Sequence, residues 1–289
     1  MANKAKIFVI YHINEEPIQS DIYTPIAVGP HKDSFPDSFL RDDIGENIAD
    51  KNSYYNEMTA IYWVYKHIDE FKDIDYIGFT HYRRLFCFSH LDRSVYVKKN
   101  LDYEYIDIDN DRLERMFKDY DLIAPYPNRY KSVRRHYEKA HNKEDIDIIT
   151  GLIKKFKPEY YKIANEYFLN QYEYSYNMFV FKKDDFIKYG DFVFTILEEF
   201  EKIKENIDRM YISERLTGVF ISYLIEKGET VLKLPVLHIR KKSLKKSTEE
   251  VNNNFKKGTD NGFLYKCKSL LLYLMPRGVE QYLRRRKTK

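Results

Sequence analysis

IDYIGFTHYRRLF, residues 74 to 86, is an apolar run that ends abruptly in charge. Asp75 to Thr80 is short and rich in aromatic and β-branched residues, as a buried strand is. His81, Tyr82, Arg83 and Arg84 follow at the strand's carboxyl end. If the chain stays extended, alternation puts His81 and Arg83 on one side. Comparable runs occur on either side. KIFVIY, 6 to 11, is followed by His12, and IAVG, 26 to 29, holds Val28 and closes at Pro30. DLIAP, 121 to 125, YSYNMFVF, 174 to 181, and VLKLPVLHI, 231 to 239, complete the set. Pro235 makes the last one an edge strand or a bulge.

Helical spacing fills the intervals. A helix is predicted to start at Asn52 or Ser53, with Tyr55, Met58, Ile61, Tyr62, Tyr65 and Ile68 on its apolar face. Further helices are predicted over 111–119, over 134–170 with a break at Pro158, from YSYNMFVF to about Ile203, and over roughly 209–227. Strands that alternate with helices predict an α/β fold, a mixed sheet with parallel pairs flanked by helices. Ligands of such sheets sit beyond the carboxyl ends of the strands. That rule directs attention to His12, His81, Asn177 and His238.

With 289 residues, 43% apolar and 33% charged, the chain can hold one large catalytic domain or one domain with an appendage. The composition excludes disordered and collagen-like classes. Cys87 and Cys267 cannot build a disulfide framework or a four-ligand zinc site, which points to a reducing, cytoplasmic setting. Lys4 and Lys6 precede an apolar run too short for a signal peptide, and no run of ~18 apolar residues exists to span a bilayer. The 27 Tyr suit sugar or base faces, although the codon usage of a low-GC genome is the more ordinary explanation of such an excess.

Charge divides the chain unevenly. Residues 240 to 289 hold 15 Lys and Arg against 4 Asp and Glu, a local +11 that leaves −7 on the rest. We therefore expect a catalytic domain over 1–240 and a basic, amphipathic, helical tail over 241–289. In the tail Leu264, Leu270 to Leu272, Leu274 and Met275 lie among Lys266, Lys268 and Arg277, ahead of Arg284 to Lys287. This pattern suits an anionic membrane surface, and peripheral attachment at the inner face of the cell membrane is expected. Base-stacking aromatics are sparse in it, so nucleic acid is not expected as a partner.

Several clusters carry chemistry. His81, Arg83 and Arg84 can neutralise a diphosphate, since guanidinium groups match phosphate oxygens in a fork. An equally ordinary role is to pair with body carboxylates. Asp42 and Asp43, with Asn47, Asn52 and Glu57, can accept from sugar hydroxyls or form a common acidic loop. Asp42, Asp43 and Glu57 also offer hard oxygen ligands for Mn²⁺ or Mg²⁺. Asn177 interrupts an apolar strand, and its buried amide needs partners, sugar or protein. Glu214, after Ser213, can take a proton from an acceptor hydroxyl or simply favour a helix start. Arg215 beside it can meet a phosphate. His136 and His141 are five apart, which disfavours a zinc site; with Arg134, Arg135 and Lys139 they can line an acceptor path or a solvated helix face. GxGxxG after a strand, the Walker lysine loop, GxSxG and HExxH are all missing.

DIYTPIAVG, LRDDIGENIADKN, YYNEMTAIYWVYKH, YIGFTHYRRLF, DLIAPYPNRY, HYEKAH, YSYNMFVFKKDDF and SERLTGVFISYLIE together resemble a bacterial family of capsular and exopolysaccharide glycosyltransferases, long catalogued as a domain of unknown function. The resemblance runs from about residue 6 to about residue 238 and leaves out the tail. It implies a GT-A-like, Rossmann-type fold and hexosyl transfer from a nucleoside-diphosphate sugar, with galactosyl or galactofuranosyl transfer one associated activity. Asp42, Asp43, Asn47, Asn52, Glu57, His81, Arg83, Arg84, His136, His141, Asn177, Glu214 and Arg215 match its motifs. Metal-dependent GT-A enzymes carry Asp-x-Asp after a strand where this chain has His81-Tyr82-Arg83, so no metal is expected to be required. The roles follow: His12, Val28, His81, Arg83, Arg84 and His238 for the nucleotide and diphosphate; Asp42, Asp43, Asn47, Asn52 and Asn177 for the sugar; Glu214, then Glu57, as the base; His136, His141 and Arg215 toward the acceptor, a glycan carried on a lipid. The donor is expected to be a UDP-sugar. The competing expectation is a non-catalytic membrane- or polyanion-binding protein that acts through its tail.

Overall fold

The structure, a computed structural model, describes residues 4–30, 32–89, 96–98, 101, 103–204, 207 and 210–239. The strands are β1 (Ala5–Tyr11), β2 (Tyr23–Ala27), β3 (Leu40–Arg41), β4 (Tyr76–His81), β5 (Arg84–Phe86), β6 (Tyr96–Lys98), β7 (Leu122–Pro125), β8 (Asn128–Arg129), β9 (Tyr172–Glu173), β10 (Phe179–Lys182), β11 (Val231–Leu234) and β12 (Val236–Ile239). The helices are α1 (Asn52–Tyr55), α2 (Met58–Lys66), α3 (Tyr103–Ile106), α4 (Asn110–Asp119), α5 (Val133–Glu138), α6 (Asp145–Phe156), α7 (Tyr161–Leu169), α8 (Lys183–Ile203) and α9 (Ser213–Glu226).

Two compact units result, Met1–Tyr82 with Ile108–Lys233, and Arg83–Asp107 with Leu234–Lys289. The chain therefore divides at Tyr82, Asp107 and Lys233, while the expected tail 241–289 lies outside the described residues. In the first unit the strands follow the order β11-β7-β10-β4-β1-β2-β3. β1 pairs in parallel with both β2 and β4, and β2 in parallel with β3. β10 runs antiparallel between β4 and β7. The expected mixed α/β sheet is present. β1 and β4 are buried through nearly their whole length, which is why both read as continuous apolar runs.

Helices cover this sheet through apolar stripes. On α8 the buried residues Phe186, Tyr189, Gly190, Val193, Ile196, Leu197 and Phe200 recur every three or four positions. Asp184 and Asp185 in its first turn and Lys202 in its last favour the helix dipole. α8 packs on α2, α6 and α9. Burying one aromatic of this stripe contributes ~1.5–3 kcal/mol, so the stripe anchors the layer. Side chains cap the shorter helices: Asp109 accepts from Arg112 N at 2.7 Å, and Ser132 Oγ from Arg135 N at 3.1 Å.

In the second unit β12 pairs antiparallel with β5, setting His238 opposite Arg84, and parallel with β6. Ile239 N donates to the Arg83 carbonyl at 2.9 Å.

Four expectations need correction. The helix from Asn52 is broken, because Asn56 takes φ +54° between α1 and α2. Residues 231–239 form two strands, since Pro235 has no N–H for a ladder. Tyr82 and Arg83 make a turn, so alternation does not carry from His81 to Arg83. Most consequential, the strand expected from Tyr174 begins only at Phe179, because Tyr176 and Asn177 adopt φ of +78° and +49°.

Candidate functional site

Parallel pairing of β1, β2, β3 and β4 brings their carboxyl ends to one edge of the first unit. Ile10 is in register with His81, Tyr11 with Ala27, and Ala27 with Arg41. Thus His12, Val28, Asp42 and His81 all follow or end strands at the same edge. The antiparallel β10 starts there, with Phe179 opposite Phe79, so the turn before it reaches that edge too.

That turn organises the polar groups. Two consecutive non-glycine residues in left-handed conformation cost ~1–2 kcal/mol each. Hydrogen bonds offset the cost, at about 1 kcal/mol net apiece. His81 Nε2 lies 2.7 Å from the Tyr176 carbonyl; a carbonyl only accepts, so Nε2 carries the hydrogen. The Tyr176 N–H faces the Glu214 carboxylate and favours its ionised form. Asn177, 1% exposed, donates from Nδ2 to Glu57 Oε1 at 2.9 Å and to Ser213 Oγ at 3.0 Å. Its Oδ1 accepts from Thr217 Oγ1 at 2.7 Å, and the Tyr189 hydroxyl lies 2.8 Å from that same oxygen. One turn therefore gathers His81 from β4, Glu57 from the start of α2, and Ser213, Glu214 and Thr217 from α9.

A second polar group adjoins it through α9. Glu173, 1% exposed, pairs through Oε2 with His136 Nδ1 at 2.8 Å and through Oε1 with Arg215 Nη2 at 3.3 Å. Arg215, also buried, lies 3.5 Å from Glu214 Oε2, donates to the Tyr211 carbonyl at 3.3 Å, and packs over the Tyr137 ring at 5.1 Å. His136 stacks on Tyr130 with centroids 3.6 Å apart, and His141 on Tyr211 at 4.4 Å.

The electrostatics follow from this crowding. Burial pushes the Glu214 carboxyl up; Arg215 and the Tyr176 N–H oppose that, and the Glu57 and Glu173 carboxylates add to it. Burial and then Arg215 hold His141 below the usual imidazole range. Burial, then Glu173, pushes the Tyr130 phenol up to about 12. A carboxyl pushed up by burial beside a second carboxylate is suited to proton transfer.

The remaining candidates are placed as follows. His12 Nε2 lies 3.3 Å from the Tyr82 hydroxyl. Val28 N donates to the Tyr11 carbonyl at 2.9 Å. Asp42 is fully buried, and Asp43 is ion-paired to Arg41 at 3.1 Å. Asn47 closes a local turn, donating to the Gly45 carbonyl and accepting from Ala49 N. Asn52 is spent on the break between α1 and α2, donating to the Asn56 carbonyl and Thr59 Oγ1. Gly29 passes close over it at φ +85°; a Cβ there would stand 3.0 Å from Asn52 Oδ1. Arg83, Arg84 and His238 belong to the second unit. Glu173, Tyr130 and Tyr211 were not anticipated. Glu173 sits in the polar stretch LNQYEYS and looks there like any surface glutamate; its partners lie 37 residues before it and more than 40 after it. Among the described residues, no group of three or more His, Cys, Asp and Glu side chains is arranged to hold a metal ion. No helix among them is long and apolar enough to cross a membrane.

The family described as "Domain of unknown function (DUF4422)" matches residues 6–227. The chain belongs to DUF4422. Among solved structures, this DUF4422 chain is similar to the apo structure of the WbbM bifunctional glycosyltransferase, with a TM-score of 0.73 and 28% identity over 82% of the chain. It spans only 45% of that protein's length. No curated protein matches it.

Proposed function

We propose that this chain is a glycosyltransferase that moves a hexose, galactose or galactofuranose, from a UDP-sugar to a growing, lipid-linked surface polysaccharide of the capsule or exopolysaccharide kind. The observation that carries this is the group at the sheet's carboxyl edge, where Glu57 and Glu214 meet one strained turn and Glu214 is pushed toward its protonated form. The likeness to WbbM supports it and supplies the reaction class.

In this reading the acceptor hydroxyl gives its proton to a carboxylate of that pair. The acceptor oxygen bonds to the sugar's anomeric carbon, and the carbon–oxygen bond to the diphosphate breaks, its electron pair leaving with the diphosphate. Arg83 and Arg84 offset the growing charge, which lowers the barrier more than ground-state binding does. Asp43 faces the sugar hydroxyls with Asp42 buried behind it, and His136 and His141 line the acceptor side with Arg215 buried behind them. The basic tail holds the enzyme at the anionic inner face of the cell membrane. A metal is not required.

The test is a panel of nucleotide sugars assayed for hydrolysis and for thermal stabilisation. UDP-galactose is expected to bind and turn over, and turnover to persist in EDTA. Arg83→Ala should cut kcat at least tenfold while unfolding as the native protein does. Turnover lost to EDTA and restored by Mn²⁺ removes the metal-free reading, and normal turnover by Arg83→Ala removes the leaving-group role.

A further inference from the structure

Asn177 is expected from the sequence to face the sugar, yet its amide has little left to offer a ligand. Both Nδ2 hydrogens are committed, one to Glu57 Oε1 at 2.9 Å and one to Ser213 Oγ at 3.0 Å. The amide oxygen accepts from Thr217 Oγ1 at 2.7 Å, and the residue is 1% exposed. The Glu57 contact fixes which way the amide points, because an ionised carboxylate only accepts and so meets nitrogen, which leaves Oδ1 to the Thr217 hydroxyl. The buried Tyr189 hydroxyl lies 2.8 Å from Thr217 Oγ1, which is also 3.2 Å from the Ser213 carbonyl, so the amide sits in a hydrogen-bonded network that reaches Glu57.

We propose that Asn177 is a positioning residue and not a sugar ligand: its oriented amide holds the Glu57 carboxylate as the proton acceptor of the site. The proposal rests on the glycosyl-transfer reading for the reaction, and reverses the order expected from the sequence, which put Glu214 ahead of Glu57 as the base. An amide N–H aimed at a carboxylate oxygen favours the ionised form, which can receive a proton. Glu214 has no such amide donor; its partner Arg215 stands at 3.5 Å, and burial pushes its carboxyl up. The acceptor hydroxyl's proton therefore passes to Glu57 as its oxygen bonds to the anomeric carbon and the diphosphate leaves with the bonding electrons. The left-handed backbone belongs to the same device. A strand through residue 177 would point the side chain along an alternating ladder, whereas φ +49° turns it toward α2 and α9.

Asn177→Gly tests this, since glycine adopts that φ without strain and only the amide is lost. In the full-length protein with ¹³C-labelled glutamate carboxyls, the Glu57 titration midpoint is expected to rise, a gain in proton affinity of about tenfold. A midpoint unchanged in a folded variant overturns the proposal. Should Asn177→Gly not fold, Thr217→Val, which removes the hydroxyl that bonds the amide oxygen, is expected to move the midpoint the same way, and no movement there overturns the proposal equally. Turnover of UDP-galactose gives the second readout: kcat falls at least tenfold with the donor KM within twofold, whereas a raised KM at unchanged kcat marks a sugar ligand and refutes a positioning role. If the wild-type chain turns over no nucleotide sugar, the glycosyl-transfer reading fails, and the titration still decides what Asn177 does.

Discussion

The buried pair of Glu173 and Arg215 offers the sharpest energetic test. Their side chains are 1% and 5% exposed and 3.3 Å apart. At an effective dielectric of ~20 the attraction over that distance is about 5 kcal/mol, before desolvation of both ions is subtracted. Removing one partner abandons the other in the interior, which costs ~3–5 kcal/mol. Glu173→Leu should fall at the low end, near 3 kcal/mol, because Arg215 keeps Glu214 at 3.5 Å and the Tyr137 ring. Arg215→Met likewise leaves Glu173 with His136 at 2.8 Å. The double variant removes both charges, so its loss should be smaller than the sum of the singles by about 2 kcal/mol. Urea denaturation of the four proteins at neutral pH measures the cycle. A 3 kcal/mol loss should also lower Tm by roughly 6–12 °C for a domain of this size. Singles that each cost under ~1 kcal/mol, or effects that add within ~0.5 kcal/mol, refute the argument.

Two further outcomes follow from the packing and the charge. A Cβ added at Gly218 would stand 1.9 Å from the Tyr167 hydroxyl, which accepts from Tyr174 N at 3.1 Å just before the strained turn. Gly218→Ala should cost ~1–3 kcal/mol in denaturation, and native-like stability would show that α7 and α9 are not in close contact there. Asp121 is hydrogen-bonded to Lys182 and to Thr230, and the Lys182 ammonium foremost holds its carboxyl well below the usual range. A depressed carboxyl stabilises above its unfolded pKa of ~3.9 and loses that contribution as pH falls through the lower folded value. Asp121→Asn should therefore be less stable than wild type at pH 6 and converge with it toward pH 2; a difference independent of pH across an acid titration argues against the ion pair.

Much of the framework was legible because it is local. β1, β4 and β7 announce themselves as short apolar runs, and α8 as a stripe recurring every three or four residues. The misreadings occur where a distant partner overrides local pattern. YSYNMFVF alternates well enough for a strand, but Glu57, 120 residues earlier, and Thr217, 40 residues later, hold Asn177 in a turn. The helix from Asn52 has good periodicity, yet the Asn52 amide bonds to the Asn56 carbonyl and stabilises a break. Asn177 stood out as a polar residue interrupting an apolar run, and Glu214 as a carboxylate beside Ser213 at a helix start. Glu173, in polar surroundings, gave no such contrast, and only its pairing with His136 and the buried Arg215 reveals it.

The antiparallel insertion of β10 has a consequence for biosynthesis. Glu57 leaves the ribosome about 160 residues ahead of Glu214, a delay of roughly ten to thirty seconds at ordinary elongation rates of ~5–20 residues per second. Until β10 emerges, β4 has one unfilled edge, and Gly78 waits for the Val180 side chain that will pack against it. The nascent chain thus presents a half-built sheet to chaperones over the roughly 100 residues between β4 and β10, and brings its two carboxylates together only when α9 closes over the turn.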